Sequence, residues 1–459
     1  MDLTSEQIKE FNKTRHNPKF LCNAPFSSIK ISIDGRVSPC CYNCDMIDCY
    51  PNHSLQQIWN GDIFSSYRKS IRRNKFPMAC TTCNKAIQNG EYDSVKINQY
   101  NNLKVSRFLK NKPRLIEMAL SNQCNLECIM CNGTQSSSIR ANREKRPPNK
   151  SIFGQEFREE LNIFIPDLQE MVFAGGEPFL NPLYYDIWED AIRLNTKCYL
   201  SVVTNGTILN DRIKSLLERG NFKINLSFDA ITKETYESIR VNAKFEETMA
   251  NMKYFGNILE RQGKRLHIPI CPLRANRFEL PDLVRFCNDN NYSLNFVNIN
   301  GAIDVSMYSM SSSELKELKN IYLQQSFFGT DYISNKNIME FNELTQRLDR
   351  WIELAIRREN FKEYYDLKTD MVEKFQKQLY KKLYVTLSSK NIDNDSIITN
   401  LDRFKEIQSR ILSSLPEYYY SNHFFRKLLN ISPELYITMI TESHPTNIRN
   451  ISEQLFFYL

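Results

Sequence analysis

Three cysteines fall within eight residues in "CNLECIMC" (124–131), and thiolates at such spacing hold metals. A closed tetrahedral zinc site takes four protein donors, whereas Cys124-x3-Cys128-x2-Cys131 supplies three. The set follows the strand-like segment "RLIEMALS" (114–121), and in α/β folds the carboxyl ends of strands are where active sites gather. Zinc or an iron–sulfur cluster would suit these donors. In a four-iron cube, three thiolates hold three irons and leave the fourth open to another ligand.

Other chemistry-bearing groups lie at the ends of later strand-like segments. "GGEP" (175–178) follows "LQEMVFAG" (168–175). Gly175 and Gly176 permit close backbone approach, and Glu177 can accept from an ammonium group. "TNG" (204–206) closes the segment 197–205, and "SFD" (227–229) lies in the segment 223–230. Two more strand-like segments, 265–273 and 293–300, complete six. Helical patterns intervene at 182–194 and 233–262. Repeated strand–helix units imply a parallel sheet, curved into a barrel or open.

The chain of 459 residues suggests two or three domains. The sequence shows no run approaching the roughly 20 apolar residues that span a bilayer, and its start lacks the apolar segment of a secretory signal. A cytoplasmic protein is expected. Its thirteen cysteines then serve metals or catalysis rather than disulfides. Cys198, Cys271 and Cys287 are scattered and read as small buried apolar residues. His267 reads as a strand histidine satisfied by hydrogen bonds. The basic stretches 67–75 and 103–114 read as solvated helix faces and a linker, so nucleic acid is not expected as a partner.

The ordered set CxxxCxxC, GGEP, TNG and SFD resembles the radical SAM enzymes over roughly residues 113–300. The resemblance implies a partial (β/α)6 TIM-type barrel. It also implies a [4Fe–4S] cluster on Cys124, Cys128 and Cys131, whose open iron chelates S-adenosylmethionine (SAM). Gly175, Gly176, Glu177 and Pro178 would meet the methionyl group, and Ser227 and Asp229 the ribose; Asn205 is a further cofactor-binding candidate. Reductive cleavage of SAM would give methionine and a 5′-deoxyadenosyl radical that removes hydrogen from a substrate.

Ahead of the barrel, Cys22, Cys40, Cys80 and Cys83 resemble the twitch half of a SPASM domain, which holds an auxiliary [4Fe–4S] cluster. Four cysteines would fill all its irons, so electron transfer is the implied role. "SSIKISIDGRVSPCC" beside them alternates around an Asp-Gly turn, a hairpin signal. Cys41, Cys44 and Cys49 are either ligands of a second auxiliary cluster or bystanders; a zinc ribbon is the alternative for this region. The expected organisation is an α+β cysteine-rich module at 1–103, the barrel at 104–310 and a mostly helical region at 311–459. The implied substrate is a sugar, nucleotide, small metabolite or peptide. A small or sugar-like one is favoured because the twitch module stands where a leader-binding domain is often fused. A flavodoxin- or ferredoxin-type protein would donate electrons. The competing expectation is a non-catalytic iron–sulfur or zinc protein that senses redox state or binds nucleic acid.

Overall fold

The computed structural model describes residues 3–15, 18–41, 48–77, 80–90, 92, 95–103, 112–299 and 302–364, with scattered positions between 377 and 402. Alternation of buried and half-buried side chains generates its strands. In β4 (Leu115–Ala119), Ile116 and Met118 are buried while Leu115, Glu117 and Ala119 are half-buried. β5 (Glu170–Ala174) repeats this with Met171 and Phe173. β6 (Tyr199–Thr204), β7 (Phe222–Leu226), β8 (His267–Ile270) and β9 (Ser293–Phe296) follow, each parallel to its predecessor. These are the six strands expected from the sequence.

Helices cover the apolar face. Helix Pro182–Leu194 is started by Asn181, whose side chain accepts from Leu183 N, with proline at the first position. Its Trp188 is fully buried among Phe173, Phe179, Tyr185 and Phe222, with ring centroids 5.1–5.8 Å away. The helical pattern of 233–262 is divided into Lys233–Ile239 and Phe245–Arg261. Asn242 breaks it with φ of 76°, a left-handed conformation that asparagine tolerates better than most residues. The break frees the backbone of 239–241 to bond elsewhere.

The front of the chain extends the same sheet. β1 (Ser28–Ile31) and β2 (Arg36–Ser38) form the hairpin, turning at Gly35 with φ of 80°, and β3 (Asp48–Cys49) pairs with β2. β1 lies parallel to β4 in register from Ser28↔Leu115 to Ile31↔Met118. The order is β3-β2-β1-β4-β5-β6-β7-β8-β9. Lys30 and Glu117, opposite each other in this register, form an ion pair at 2.7 Å.

Beyond β9, helices Ser312–Leu323 and Tyr332–Tyr364 pack back on the barrel. Asn337 Oδ1 accepts from Leu294 N at 2.9 Å, and Phe341 meets Phe296 and Tyr322. No helix among the described residues is long and apolar enough to cross a membrane.

Because β1 is an interior strand of one sheet, its amides should exchange with solvent as slowly as those of β5. Hydrogen exchange read by mass spectrometry checks this; rapid exchange of 28–31 beside a protected 115–119 would contradict the shared sheet.

Candidate functional site

The three-cysteine loop leaves β4 at its carboxyl end and is fixed from two sides. Cys124 N donates to Ser137 Oγ at 3.1 Å, and Ser138 Oγ donates to Cys124 O at 2.8 Å. Ser136 Oγ donates to Leu126 O while capping helix Ser137–Asn142 through Ile139 N. From the other side, Glu127 N bonds Val241 O at 3.0 Å and Ile129 N bonds Ile239 O at 2.9 Å. The broken helix therefore serves as a backbone partner for the loop. Glu127, next to Cys128, accepts from Asn142 and Arg143 at 2.7 and 2.8 Å. Cys128 is buried, Cys124 half-buried and Cys131 exposed. The Cys128 thiol is drawn below its usual value, first by the hydrogen bond with Cys131 and then, against desolvation, by Arg240.

The turn after β5 lies against this loop. Gly175 and Gly176 have φ of 82° and 55°, and a Cβ on Gly176 would stand 2.3 Å from Gln123 O. Glycine alone lets the two backbones meet, and Glu177 N donates to Gln123 O at 2.7 Å. The Glu177 side chain is fully buried. Its Oε1 accepts from Phe179 N (3.0 Å) and Thr204 Oγ1 (2.8 Å), its Oε2 from Asn205 N (2.7 Å). Burial pushes this carboxyl up to about 7 against the pull of those donors. Glu177 thus clamps the end of β5 to the end of β6, and Pro178 begins a buried turn of 3-10 helix beside it. Asn205 continues toward the cysteines: its Nδ2 donates to Asn125 Oδ1 at 3.0 Å and lies 3.9 Å from Cys124 Sγ.

At the end of β7, Ser227 is half-buried and Asp229 fully buried. Asp229 Oδ1 accepts from Cys271 N at 2.8 Å, and Oδ2 pairs with Arg240 Nη2 at 2.7 Å. Asp229 is thereby committed to the protein, while Ser227, its N–H bonded to Thr204 O at 2.9 Å, keeps a half-buried side chain. Arg240, absent from the sequence-based candidates, is buried with Nη1 4.0 Å from Cys128 Sγ. Its position in a charged helical stretch gives no signal of burial. Its Nε has no hydrogen-bond partner among the described residues.

These features fit a [4Fe–4S] cluster with a chelating ligand. The donor set is all thiol, and a buried guanidinium keeps a donor unspent beside it. No group of three or more His, Cys, Asp or Glu among the described residues is placed to hold a single metal ion.

On the strand face opposite the helices, polar side chains stand among Val172, Val203 and Pro269. Glu170 bonds Ser201 and pairs with Lys223 at 3.3 Å. His267 is held by Ser293 Oγ at 2.9 Å and Asn295 Oδ1 at 2.8 Å, a histidine satisfied by hydrogen bonds.

Cys22, Cys40, Cys80 and Cys83 come together in the front module. Burial pushes the Cys22 thiol well up, and Cys40, Cys80 and Cys83 are near enough to add to the shift. Cys83, raised by burial, receives the N–H groups of Lys96 and Ile97, bonds of the kind that tune clusters. Cys41 lies near Cys83, Lys96, Glu117 and Lys30. Cys49 stands at the hairpin turn, its Sγ 3.4 Å from Asp34 O, with Asp34, Asp48 and Arg36 as charged neighbours. Cys44 lies outside the described residues. None of the twelve described cysteines is in a disulfide.

A sequence profile of the Radical SAM superfamily matches residues 118–287, and one of SPASM, an iron–sulfur cluster-binding domain, matches residues 22–84. Residues 118–287 thus carry a Radical SAM domain, and a SPASM-type iron–sulfur cluster-binding module stands ahead of it. It is 32% identical over 154 residues to the AdoMet-dependent heme synthase of Methanosarcina barkeri, covering 32% of this chain and 40% of that protein. With the GTP 3′,8-cyclase of Microcystis aeruginosa it shares 24% identity over 194 residues, 41% of this chain and 56% of that one. The chain spans about half the length of these curated relatives. Among solved structures, anSMEcpe with bound AdoMet aligns at a TM-score of 0.35 and 20% identity, over 46% of this chain and 60% of that one. Streptococcus suis SuiB bound to precursor peptide SuiA aligns at 0.37 and 17%, over 56% and 60%.

Glu177→Gln tests the clamp. In either orientation the amide sets an NH2 against a backbone N–H, of Asn205 or of Phe179. Such a loss costs about 1–3 kcal/mol, so urea unfolding should shift by that amount; an unchanged midpoint would remove Glu177 from this role.

Proposed function

We propose that the chain is an enzyme that cleaves SAM reductively at a [4Fe–4S] cluster held by Cys124, Cys128 and Cys131, and that the resulting radical chemistry acts on a small polar substrate. The observation carrying the reading is the three-thiol loop at the strand ends, braced by the buried Arg240–Asp229 pair and the glycine turn of 175–176. When bound, cluster and SAM supply one-electron cleavage of a sulfonium and hydrogen abstraction from an unactivated C–H bond.

The protein's own residues supply placement. The backbone of 175–176 packs directly on the start of the loop at Ser121–Gln123 and sets its course. Glu177 fixes that turn and remains a candidate for the methionyl ammonium through its remaining lone pairs. Asn205 orients the Cys124 side of the loop, and Ser227, half-buried at the end of β7, is a ribose candidate. Arg240 offsets the negative charge that three thiolates bring. The polar side chains on the strand face opposite the helices, Glu170, Ser201, Lys223, Asn225, His267 and Asn295, favour a substrate rich in hydrogen-bonding groups, such as a sugar, a nucleotide or another small polar metabolite. A peptide is the other substrate class.

In the front module, Cys22, Cys40, Cys80 and Cys83 are the proposed ligands of an auxiliary [4Fe–4S] cluster that exchanges electrons with the substrate. Module limits of 1–103, 104–310 and 311–459 follow this division. An electron donor of flavodoxin or ferredoxin type completes the system.

Anaerobically reconstituted, reduced protein should convert SAM to 5′-deoxyadenosine and methionine, read by mass spectrometry. The triple alanine variant at Cys124, Cys128 and Cys131 should not, and persistent cleavage there would sink the assignment. Cys80→Ala with Cys83→Ala should lower the iron content by about four per chain and leave uncoupled SAM cleavage in place. Unchanged iron in that variant would remove both residues from the ligand set.

A further inference from the structure

Residues 140–150, "RANREKRPPNK", carry five cationic side chains, Arg140, Arg143, Lys145, Arg146 and Lys150, against one carboxylate, Glu144. Glu144 is turned inward. It is buried, accepts from Gly133 N at 2.8 Å and pairs with Arg146 at 3.4 Å. Glu127, which bonds Asn142 and Arg143, is buried as well. Lys145 and Lys150 are exposed. Arg143 and Arg146 are thus matched by buried carboxylates, and Arg140, Lys145 and Lys150 leave the outward face with a net positive charge.

The segment also rests on the cysteine loop. A Cβ on Gly133 would come within 2.9 Å of Arg140 Cα, and Gly133 is two residues beyond Cys131, itself exposed. A protein that docks on 140–150 stands against the edge of the three-thiol site.

We propose that this cationic face is the docking surface for an acidic one-electron donor protein of flavodoxin or ferredoxin type, which reduces the cluster at Cys124, Cys128 and Cys131. The proposal rests on reading that loop as a cluster site. One electron leaves the donor's flavin or iron–sulfur centre and one enters the cluster; no bond forms or breaks. Complementary charge speeds encounter and fixes orientation. Single-stranded nucleic acid, the other polyanion such a face could meet, is bound with aromatic platforms between the charges. The segment 140–150 contains no aromatic residue.

The test uses the iron-loaded protein and its Lys145→Glu, Lys150→Glu double variant, with photoreduced flavodoxin as the probe. Cluster reduction is followed by stopped-flow absorbance at low ionic strength and at about 0.2 M salt, and donor binding by calorimetry. Reduction of the wild type should slow with salt. The variant should be slower by about tenfold at low salt, bind the donor more weakly and reduce normally with dithionite, which needs no docking face. Equal rates and affinities for the two proteins would overturn the proposal. So would a variant that loses binding to an RNA oligonucleotide while flavodoxin reduces it normally. If flavodoxin reduces the wild type but not the variant while neither cleaves SAM, the docking surface stands and the proposed reaction falls.

Discussion

A buried ion pair sits behind the cysteine loop, and the site is arranged around it. Asp229 and Arg240 meet at 2.7 Å with side chains 0% and 8% exposed. Burying two charges costs several kcal/mol each, and breaking one partner of such a pair costs about 3–5 kcal/mol, so its value lies in what it positions. Asp229 binds the end of β7 to Cys271 N beyond β8. Arg240 comes from the helix break whose backbone holds Glu127 and Ile129. The pair thus joins two strand ends, a helix terminus and the cysteine loop, with a guanidinium facing Cys128 where thiolate charge would accumulate.

Continuity of the sheet makes a second arrangement. β1 runs parallel to β4, so the amino ends of both strands coincide. Cys40 follows β2, which runs back toward that same end, and Ser28 Oγ donates to Pro39 O there. The three-cysteine loop leaves the opposite end. Five residues of β4 at about 3.3 Å each separate the two levels, and the sheet face opposite the helices lies between them. A substrate on that face would have one cysteine set above it and the other below.

Much of this was legible in the sequence because local patterns determine it. Alternating apolar residues gave the six barrel strands, and Asp-Gly gave the hairpin. GGEP, TNG and SFD fell at strand ends, where Glu177 bonds Asn205 N on one side of the cysteine loop and Asp229 pairs with Arg240 on another. What was not legible depends on distant partners. The parallel pairing of Ile29 with Ile116 joins residues far apart in the chain and carries no local mark. Arg240 reads as a surface charge on a continuous helix until Asn242 breaks that helix. The inward commitment of Asp229 to Arg240 was equally hidden, since a strand-end aspartate looks the same whether it meets a ligand or a buried cation.

The central claim is that three thiolates leave one iron open and that SAM occupies it. Electron–nuclear double resonance on the reduced, iron-loaded protein tests this directly, using SAM labelled with 15N at the amino group and 17O at the carboxylate. The account predicts hyperfine coupling of both nuclei to the cluster. Abolition of the signal by alanine at Cys124, Cys128 and Cys131, with the front module's iron intact, would place the coupling at this loop. A reduced cluster that shows neither coupling with saturating SAM would contradict the account.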